Sequence, residues 1–271
     1  MDTKTIDVIA DALLPTLGTD ALLPRVSAQY TGFSVDDGYA VVHRMRTLRE
    51  ARSEKAIGRK IGGTNPAFYH LTGATGPMWA FMYDTALLEL PLGSGAFSLG
   101  TYRQPRIEPE IVLHISSTPK AGMTEAEIIT CIDRVAFGYE IVHSPYSDWR
   151  VAPPDALAAF GLHQAMVTGL WVDITEDRAA WVDRLRDLEV TMRSADGIEK
   201  RGVGHNVLGN PLNALRAIVD DIARHPDWAL VAVGEIITTG TIAELMPLEP
   251  GQVWTTTIAG APLEGLSLRI T

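Results

Sequence analysis

Glu108 and Glu110 are the residues in this chain whose type and spacing point most directly to chemistry. They lie in Pro105-Arg106-Ile107-Glu108-Pro109-Glu110-Ile111-Val112-Leu113-His114-Ile115, where Ile107, Ile111, Leu113 and Ile115 occupy alternate positions, the period of a half-buried strand. The two glutamates therefore share the other face, about 7 Å apart along the strand. Like charges held side by side repel, and a divalent cation would balance them. Carboxylate oxygens are the ligands that hard ions such as Mg²⁺ or Mn²⁺ select. Tyr139-Glu140-Ile141-Val142-His143 alternates in the same way and brings a third acid, Glu140. Taken alone, Glu-x-Glu is a common pattern, and a solvated strand face explains it more readily than a metal.

A second group of polar residues lies close to glycine. Ala56-Ile57-Gly58-Arg59-Lys60-Ile61-Gly62-Gly63 reads as a short strand entering a glycine turn, with Lys60 on the face opposite Ile57, Arg59 and Ile61. The glycines allow backbone to come close to a ligand. The segment is not a phosphate-binding loop of the G-x-x-x-x-G-K-[ST] kind. Asp84 closes the apolar run Met78 to Tyr83, a place where an aspartate is usually a turn or cap residue.

The elements that must position these groups begin with two helical stretches. Within 5–17, Ile6, Ile9, Ala10, Leu13 and Leu14 predict a helix ending near Pro15, and Ser34 with Asp36 and Asp37 predicts a capped helix from 34 to about 55. Residues 23–33 read as a connection. Asn65-Pro66 suggests another helix start, followed by a loop around Gly73 to Pro77. Strand, turn and strand are expected over 90–99. Thr124-Glu125-Ala126-Glu127 is a capping box, predicting a helix to Phe137 that stops at Gly138. An irregular loop over 144–154 and a short helix over 155–163 precede a strand over 164–174. Asp196-Gly197 is the strongest hairpin signal. Asn210-Pro211 caps a helix to about Arg224, residues 234–241 read as a strand closed by Gly240-Thr241, and 253–258 pairs with 263–270. No βαβ alternation is seen, which favours an α+β domain with a mixed, strongly bent sheet over a Rossmann or TIM fold. The expected division is a helical cap over 1–55 and a catalytic domain over 56–271.

Composition narrows the function. The chain has 271 residues, 46% hydrophobic and 21% charged, an ordinary globular balance. A formal net charge of −10 argues against a nucleic-acid or anionic-membrane surface. The single cysteine, Cys131, excludes an internal disulfide framework and a cysteine-based zinc site. With no signal-peptide pattern and no apolar run near the roughly 20 residues that cross a bilayer, a cytoplasmic protein is expected.

Five motifs fall in one order along the chain: Gly58-Arg59-Lys60-Ile61-Gly62-Gly63-Thr64-Asn65-Pro66, the Glu108/Glu110 segment, Tyr139-Glu140-Ile141-Val142 followed by Asp148-Trp149, Val207-Leu208-Gly209-Asn210-Pro211-Leu212-Asn213-Ala214-Leu215, and Thr239-Gly240-Thr241. In that order the chain resembles the fumarylacetoacetate hydrolase superfamily, in particular its branch of 2-oxopent-4-enoate hydratases and 4-oxalocrotonate decarboxylases from aromatic-compound catabolism. The resemblance implies a bent sheet or β-roll with peripheral helices and a small helical N-terminal cap. It implies Mg²⁺ or Mn²⁺ held by Glu108, Glu110 and Glu140, acting as a Lewis acid on an enolate beside the 2-oxo group of the substrate. It places Lys60 and Asp84 in proton transfer and Thr241 against the substrate carboxylate, with Arg59, Gly62 and Gly63 near by. A homo-oligomer is implied, with association to another pathway enzyme as a further expectation.

The chain departs from that branch after the Asp-Trp loop, where Ala159-Phe160-Gly161-Leu162 replaces a polar stretch. His163 and Gln164 are the candidate replacement polar groups, Phe160 the candidate determinant of the substrate tail. His163 fits a satisfied structural histidine slightly better than a catalytic one. The leading expectation is hydration of a 2-hydroxy-2,4-dienoate to a 4-hydroxy-2-oxo acid, favoured by Arg59-Lys60 and Asp148-Trp149. The alternatives are decarboxylation of a 2-oxo-3-enedioate, C–C hydrolysis of a 2,4-dioxo acid, or a non-catalytic partner subunit.

Overall fold

The computed structural model describes residues 1–69, 75–149 and 151–271, so part of the loop expected around Gly73, and Arg150 in the loop over 144–154, lie outside the described residues. The chain opens on helix α1 (Thr3–Leu13), capped by Asp2, then a single turn α2 (Val26–Gln29) inside the expected connection. Helix α3 (Val35–Glu50) follows, with Ser34 and Asp37 forming a reciprocal capping box. Ile6, Ile9, Leu13, Val26, Phe33, Val41 and Met45 from these helices pack with Tyr146, Ala158, Ala159 and Phe160 in one apolar cluster.

A nine-stranded mixed sheet, curled into a half-barrel, forms the centre. Its main path is built from β1 (Ala56–Gly62), β2 (Met78–Tyr83), β3 (Leu87–Glu89), β5 (Arg106–Ile115), β6 (Ile132–Val142), β7 (His163–Thr168) and β11 (Ile236–Thr241), in the order β2-β1-β11-β5-β6-β7-β3. Strand β8 (Val172–Asp173) pairs with β6, and β12 (Met246–Pro247) with β5. The β1–β11 and β3–β7 pairs are parallel, the rest antiparallel. A five-stranded sheet joins β4 (Ser94–Phe97), β9 (Glu189–Ser194), β10 (Glu199–Val203), β13 (Val253–Ala259) and β14 (Ser267–Ile270). The Asp196-Gly197 turn connects β9 to β10 as a hairpin.

Strand β5 shows how the sequence fixes the site. Ile107, Ile111, Leu113 and Ile115 are fully buried in the main core. At about 1.5–3 kcal/mol for each buried side chain, they contribute roughly 6–12 kcal/mol gross toward holding the strand in register. That is enough to keep acids on the opposite face in an unfavourable arrangement. The opposite face carries Glu108 and Glu110, then Val112, which packs with Met82, Ala136, Met166 and Ile236 beneath the acids.

The expected helix from Thr124 to Phe137 is shorter than its pattern suggested. Helix α4 (Glu125–Ile128) keeps the capping box, a 3-10 turn covers Ile129–Cys131, and Ile132–Phe137 is strand. Ile128, Ile132, Val135 and Ala136 are spaced as a helical stripe, but Val135 and Phe137 pair with Leu113 and Ile111 of β5, and this ladder overrides the local signal. Helix α5 (Pro153–Ala158) lies within the expected helical stretch. Helix α6 (Arg178–Asp187) was not anticipated, because only Trp181 and Leu185 of its ten residues are buried. Helix α7 (Pro211–Ala223) starts at its Asn210 cap as expected. No helix among the described residues is long and apolar enough to cross a membrane.

Candidate metal centre and active site

Register brings the three acids together. Glu108 of β5 lies directly opposite Glu140 of β6, and Glu110 lies opposite Gly138, two residues along the same face. One carboxylate oxygen from each of Glu108, Glu110 and Glu140 lies within 4.8 Å of the others. Glu110 and Glu140 are fully buried.

Each of the two buried acids has one oxygen held by the protein. Glu110 Oε2 accepts from the Gly240 N–H at 2.8 Å. Gly240 has φ +97°, and a Cβ there would come within 1.8 Å of Thr64 Oγ1, so only glycine can offer that N–H. Glu140 Oε1 faces His163 Nδ1 at 2.7 Å and Lys60 Nζ at 3.3 Å. The second oxygens, Glu110 Oε1 and Glu140 Oε2, are buried without a hydrogen-bond partner. Two orphaned carboxylate oxygens beside a third carboxylate make a donor set that fits a hard divalent cation.

The electrostatics agree with that fit. Burial, then Glu140 and Glu108, raises Glu110 well above the usual carboxylate range. Burial, then Glu140, raises Glu108 to about 7. Glu140 goes the other way: burial opposes its charge, but Lys60 and His163 outweigh it and hold the carboxyl below its ordinary value. For Lys60, burial favours the neutral amine, yet Glu140, Glu108 and Glu110 together keep the ammonium above its ordinary pKa. Lys60 is therefore a cation at neutral pH.

The segment that departs from the resembled branch supports Lys60 directly. Phe160, Gly161 and Leu162 all have positive φ, an arrangement that strains the two non-glycine residues. The turn presents the Gly161 carbonyl to Lys60 Nζ at 2.8 Å. A Cβ on Gly161 would press against Ala80 and the Lys60 side chain at 3.0 Å. A register shift in the β6–β7 pairing follows, with Val142 opposite His163 and Ile141 opposite Ala165. This bulge turns His163 to the face of Glu140, which an unbroken strand would not do. With Nδ1–H donating to Glu140, His163 Nε2 is left buried and unpartnered.

Other expected site residues stand elsewhere. Arg59, expected at the substrate, is buried on the opposite face of β1, where it donates to the Ala229 and Leu230 carbonyls, pairs with Glu235 and stacks over Trp79. Asp84, expected to transfer protons, is exposed and accepts from the Lys55 and Thr85 N–H groups. Lys60 pairs with Ala80 in the β1–β2 ladder, so Asp84 lies four residues farther along, roughly 13 Å from that pairing. The ring of Phe160 packs into the cluster with α1 and α3. Gln164 Oε1 accepts from the Gly18 N–H and tethers the segment after α1. Thr241 lies opposite Glu110, but its hydroxyl donates to the Ala243 carbonyl. Gly62 lies beside Lys60, where an added Cβ would meet Nζ at 3.4 Å, and Gly63 turns the chain at φ +67°. The Gly240 N–H and the Gly161 carbonyl were not anticipated as holding groups, although glycine at both positions is the local trace of such contacts.

No family model matches the chain. Among known proteins it is similar to a 4-oxalocrotonate decarboxylase of Pseudomonas sp. (strain CF600), at 26% identity over 231 residues, 84% of this chain and 83% of that protein. It is also similar to a 2-hydroxyhexa-2,4-dienoate hydratase of Comamonas testosteroni, at 25% identity over 260 residues and 96% of both chains. Among solved structures it matches 4-oxalocrotonate decarboxylase from Pseudomonas putida G7 complexed with magnesium and adipate, with a TM-score of 0.89 and 23% identity over 100% of this chain and 99% of that one. A fumarylacetoacetate hydrolase family protein from Yersinia pestis CO92 matches with a TM-score of 0.57 and 13% identity over 79% of this chain and 92% of that one.

Proposed function

We propose that this chain, which has the fumarylacetoacetate hydrolase fold and is related to 4-oxalocrotonate decarboxylases and 2-keto-4-pentenoate hydratases, is a divalent-metal-dependent lyase of 2-oxo acids. Its leading reaction is hydration of a 2-hydroxy-2,4-dienoate to a 4-hydroxy-2-oxo acid. The observation that carries this reading is the pairing of two orphaned glutamate oxygens with a buried lysine beside them.

Glu108, Glu110 and Glu140 are the residues that would hold Mg²⁺ or Mn²⁺, which supplies Lewis acidity toward the 2-oxo and carboxylate oxygens of the substrate. Lys60 Nζ donates to Gly161 O and ion-pairs with Glu140 Oε1, which holds the amine beside the acid cluster and leaves N–H capacity for the substrate. Lys60 stands beside the acid cluster, where its amine can exchange a proton with the dienoate. His163 fixes the orientation of Glu140 through Nδ1, and the Gly240 N–H does the same for Glu110. Burial of Lys60, Glu110, Glu140 and His163 keeps bulk water from screening these interactions.

Decarboxylation of a 2-oxo-3-enedioate is the second reading, supported by the relatives of that name. The same residues serve it, because both reactions place negative charge next to a 2-oxo group. We place the protein in the cytoplasm as a homo-oligomer; a sedimentation profile showing only monomer would refute that assembly. The deciding assay is a panel of 2-hydroxydienoates, 2-oxo-enedioates and acylpyruvates with Mg²⁺. Loss of ultraviolet absorbance without CO₂ release is the expected result. CO₂ release would select the decarboxylase, and silence across the panel from metal-loaded protein would overturn the proposal.

A further inference from the structure

We infer that the curled sheet has a second ligand site at the mouth opposite the metal centre, a cavity that takes a zwitterion of the α-amino acid class with an apolar side chain. The site is independent of the 2-oxo acid reading above. In the sheet order β2 and β3 stand at opposite ends, yet only Asp84–Ala86 joins them in the chain. The sheet therefore curls back on itself, and its inward face surrounds an interior with two mouths. On β5 that face carries Glu108, Glu110, Val112 and His114 in turn, and pairing with β6 is regular from Arg106 to His114. Glu110 belongs to the acid cluster at one mouth, and His114, four residues on, lies about 13 Å away along the strand. Between them Val112 packs with Met82, Ala136 and Met166 as an apolar plug. Beyond the plug is a cavity of about 480 Å³, a size typical of small-molecule sites.

Charge is divided across this cavity. His114 of β5 and Arg134 of β6 are direct partners in the ladder and form one wall. Asp84, in the turn that joins the two ends of the sheet, and Glu89 of β3 form another. Strand β5 is the middle of the main path, with three strands on each side, so that turn falls across the interior from it. Each wall keeps polar capacity free. His114 Nδ1 faces Asp133 Oδ1 at 2.6 Å, which leaves Nε2 for the cavity. Arg134 Nε is 3.8 Å from Asp133 Oδ2, beyond hydrogen-bond reach, and among the described residues no oxygen accepts from the guanidinium. Asp84 accepts the Lys55 and Thr85 N–H groups on Oδ1 alone, and neither Asp84 nor Glu89 is ion-paired among the described residues. Trp171 links the walls: its ring centroid lies 5.5 Å from Arg134 Cζ, and its Nε1–H donates to Glu89 Oε1 at 3.0 Å. Ile57, Leu87 and Ile236 supply an apolar floor continuous with the plug. A ligand with one charge would leave one wall unmatched. A carboxylate against Arg134 and His114, an ammonium against Asp84 and Glu89, and an aliphatic side chain on the floor use all three surfaces.

L-Leucine and two analogues with the same branched tail test the site. 4-Methylpentanoate lacks the amino group, and 3-methylbutylamine lacks the carboxylate. Their binding to the full-length protein in Mg²⁺ is measured by calorimetry. Leucine is expected to bind at least about tenfold more tightly than either analogue, the scale of one charge-assisted hydrogen bond. Arg134→Gln should weaken leucine to the affinity of the amine and leave the amine unchanged. Glu89→Gln should weaken leucine and the amine together and leave the acid unchanged. Both variants should keep the Mg²⁺-induced rise in Tm, which reports an intact fold and metal centre. Glu110→Gln, which alters the metal centre, should leave leucine binding as it is. The three-ligand comparison on native protein decides even where a variant fails to fold. No binding of leucine at millimolar concentration, or an analogue that binds as tightly as leucine, would overturn the site. Leucine binding that survives both cavity variants, or is lost in Glu110→Gln, would overturn it as well.

Discussion

Glu110→Gln should make the metal-free protein more stable and remove its response to metal. Glutamine keeps the shape of the side chain and an oxygen to accept from the Gly240 N–H, so the change is mainly one of charge. With the three acids inside 4.8 Å, each like-charge pair repels by about 3.5 kcal/mol or more at an effective dielectric near 20. Glu110 takes part in two such pairs, opposed by its attraction to Lys60. Protonation relieves much of the remainder, since burial and the neighbouring acids raise Glu110 well above the usual range and Glu108 to about 7. Both acids therefore bind protons more readily folded than unfolded, and the metal-free protein loses stability as pH rises from the ordinary carboxylate range through 7. At pH ~8, Glu110→Gln should recover on the order of 1–3 kcal/mol, roughly 3–8 °C in Tm. Thermal melts in EDTA and in Mg²⁺, at pH ~5 and pH ~8, read both effects. Native protein should gain more from Mg²⁺ at the higher pH, and the variant should gain little at either. A variant that melts lower than native in EDTA at pH ~8, or keeps the full Mg²⁺ shift, would refute the reasoning.

Lys60→Met should lower turnover by about 10² or more, while the Mg²⁺-induced rise in Tm persists; near-normal turnover would remove Lys60 from the chemistry. Phe160→Asn should cost about 3 kcal/mol of stability without changing the ranking of substrates in a specificity panel, because its ring is core to the α1/α3 cluster. His43 is half-buried among Trp79, Phe81 and Trp228, where burial, then the charges of Arg59 and Arg46, lowers its pKa to about 4. The unfolded chain then binds the extra proton first. Stability is complete above about 6.5 and falls toward about 4, by on the order of 2 kcal/mol after discounting partial exposure. His43→Phe should flatten that part of the stability curve, and an unchanged acid limb would contradict it.

How much of this site could be read from sequence depended on whether local pattern or register decided the outcome. Alternation alone put Glu108 and Glu110 on one face and Lys60 opposite Arg59, and the strands keep those relations. That same alternation argued against Arg59 beside the substrate, although the motif resemblance carried it there. Asp84 failed on register, since the antiparallel β1–β2 pairing sends it toward the far end of β1 from Lys60. His163 reaches Glu140 only through a bulge, and Phe160 turns inward only through a run of left-handed residues, neither of which a periodicity argument contains. The helix expected through Phe137 shows the converse, a helical spacing overruled by pairing with β5.

A crystal grown with Mn²⁺ and examined by anomalous scattering tests the central claim most directly. The account predicts one strong peak bounded by Glu108, Glu110 and Glu140, with a carboxylate oxygen from each at about 2.0–2.3 Å, including the oxygens of Glu110 and Glu140 that have no protein partner. A peak elsewhere, or no peak with Glu140 turned away from the other two, would contradict it.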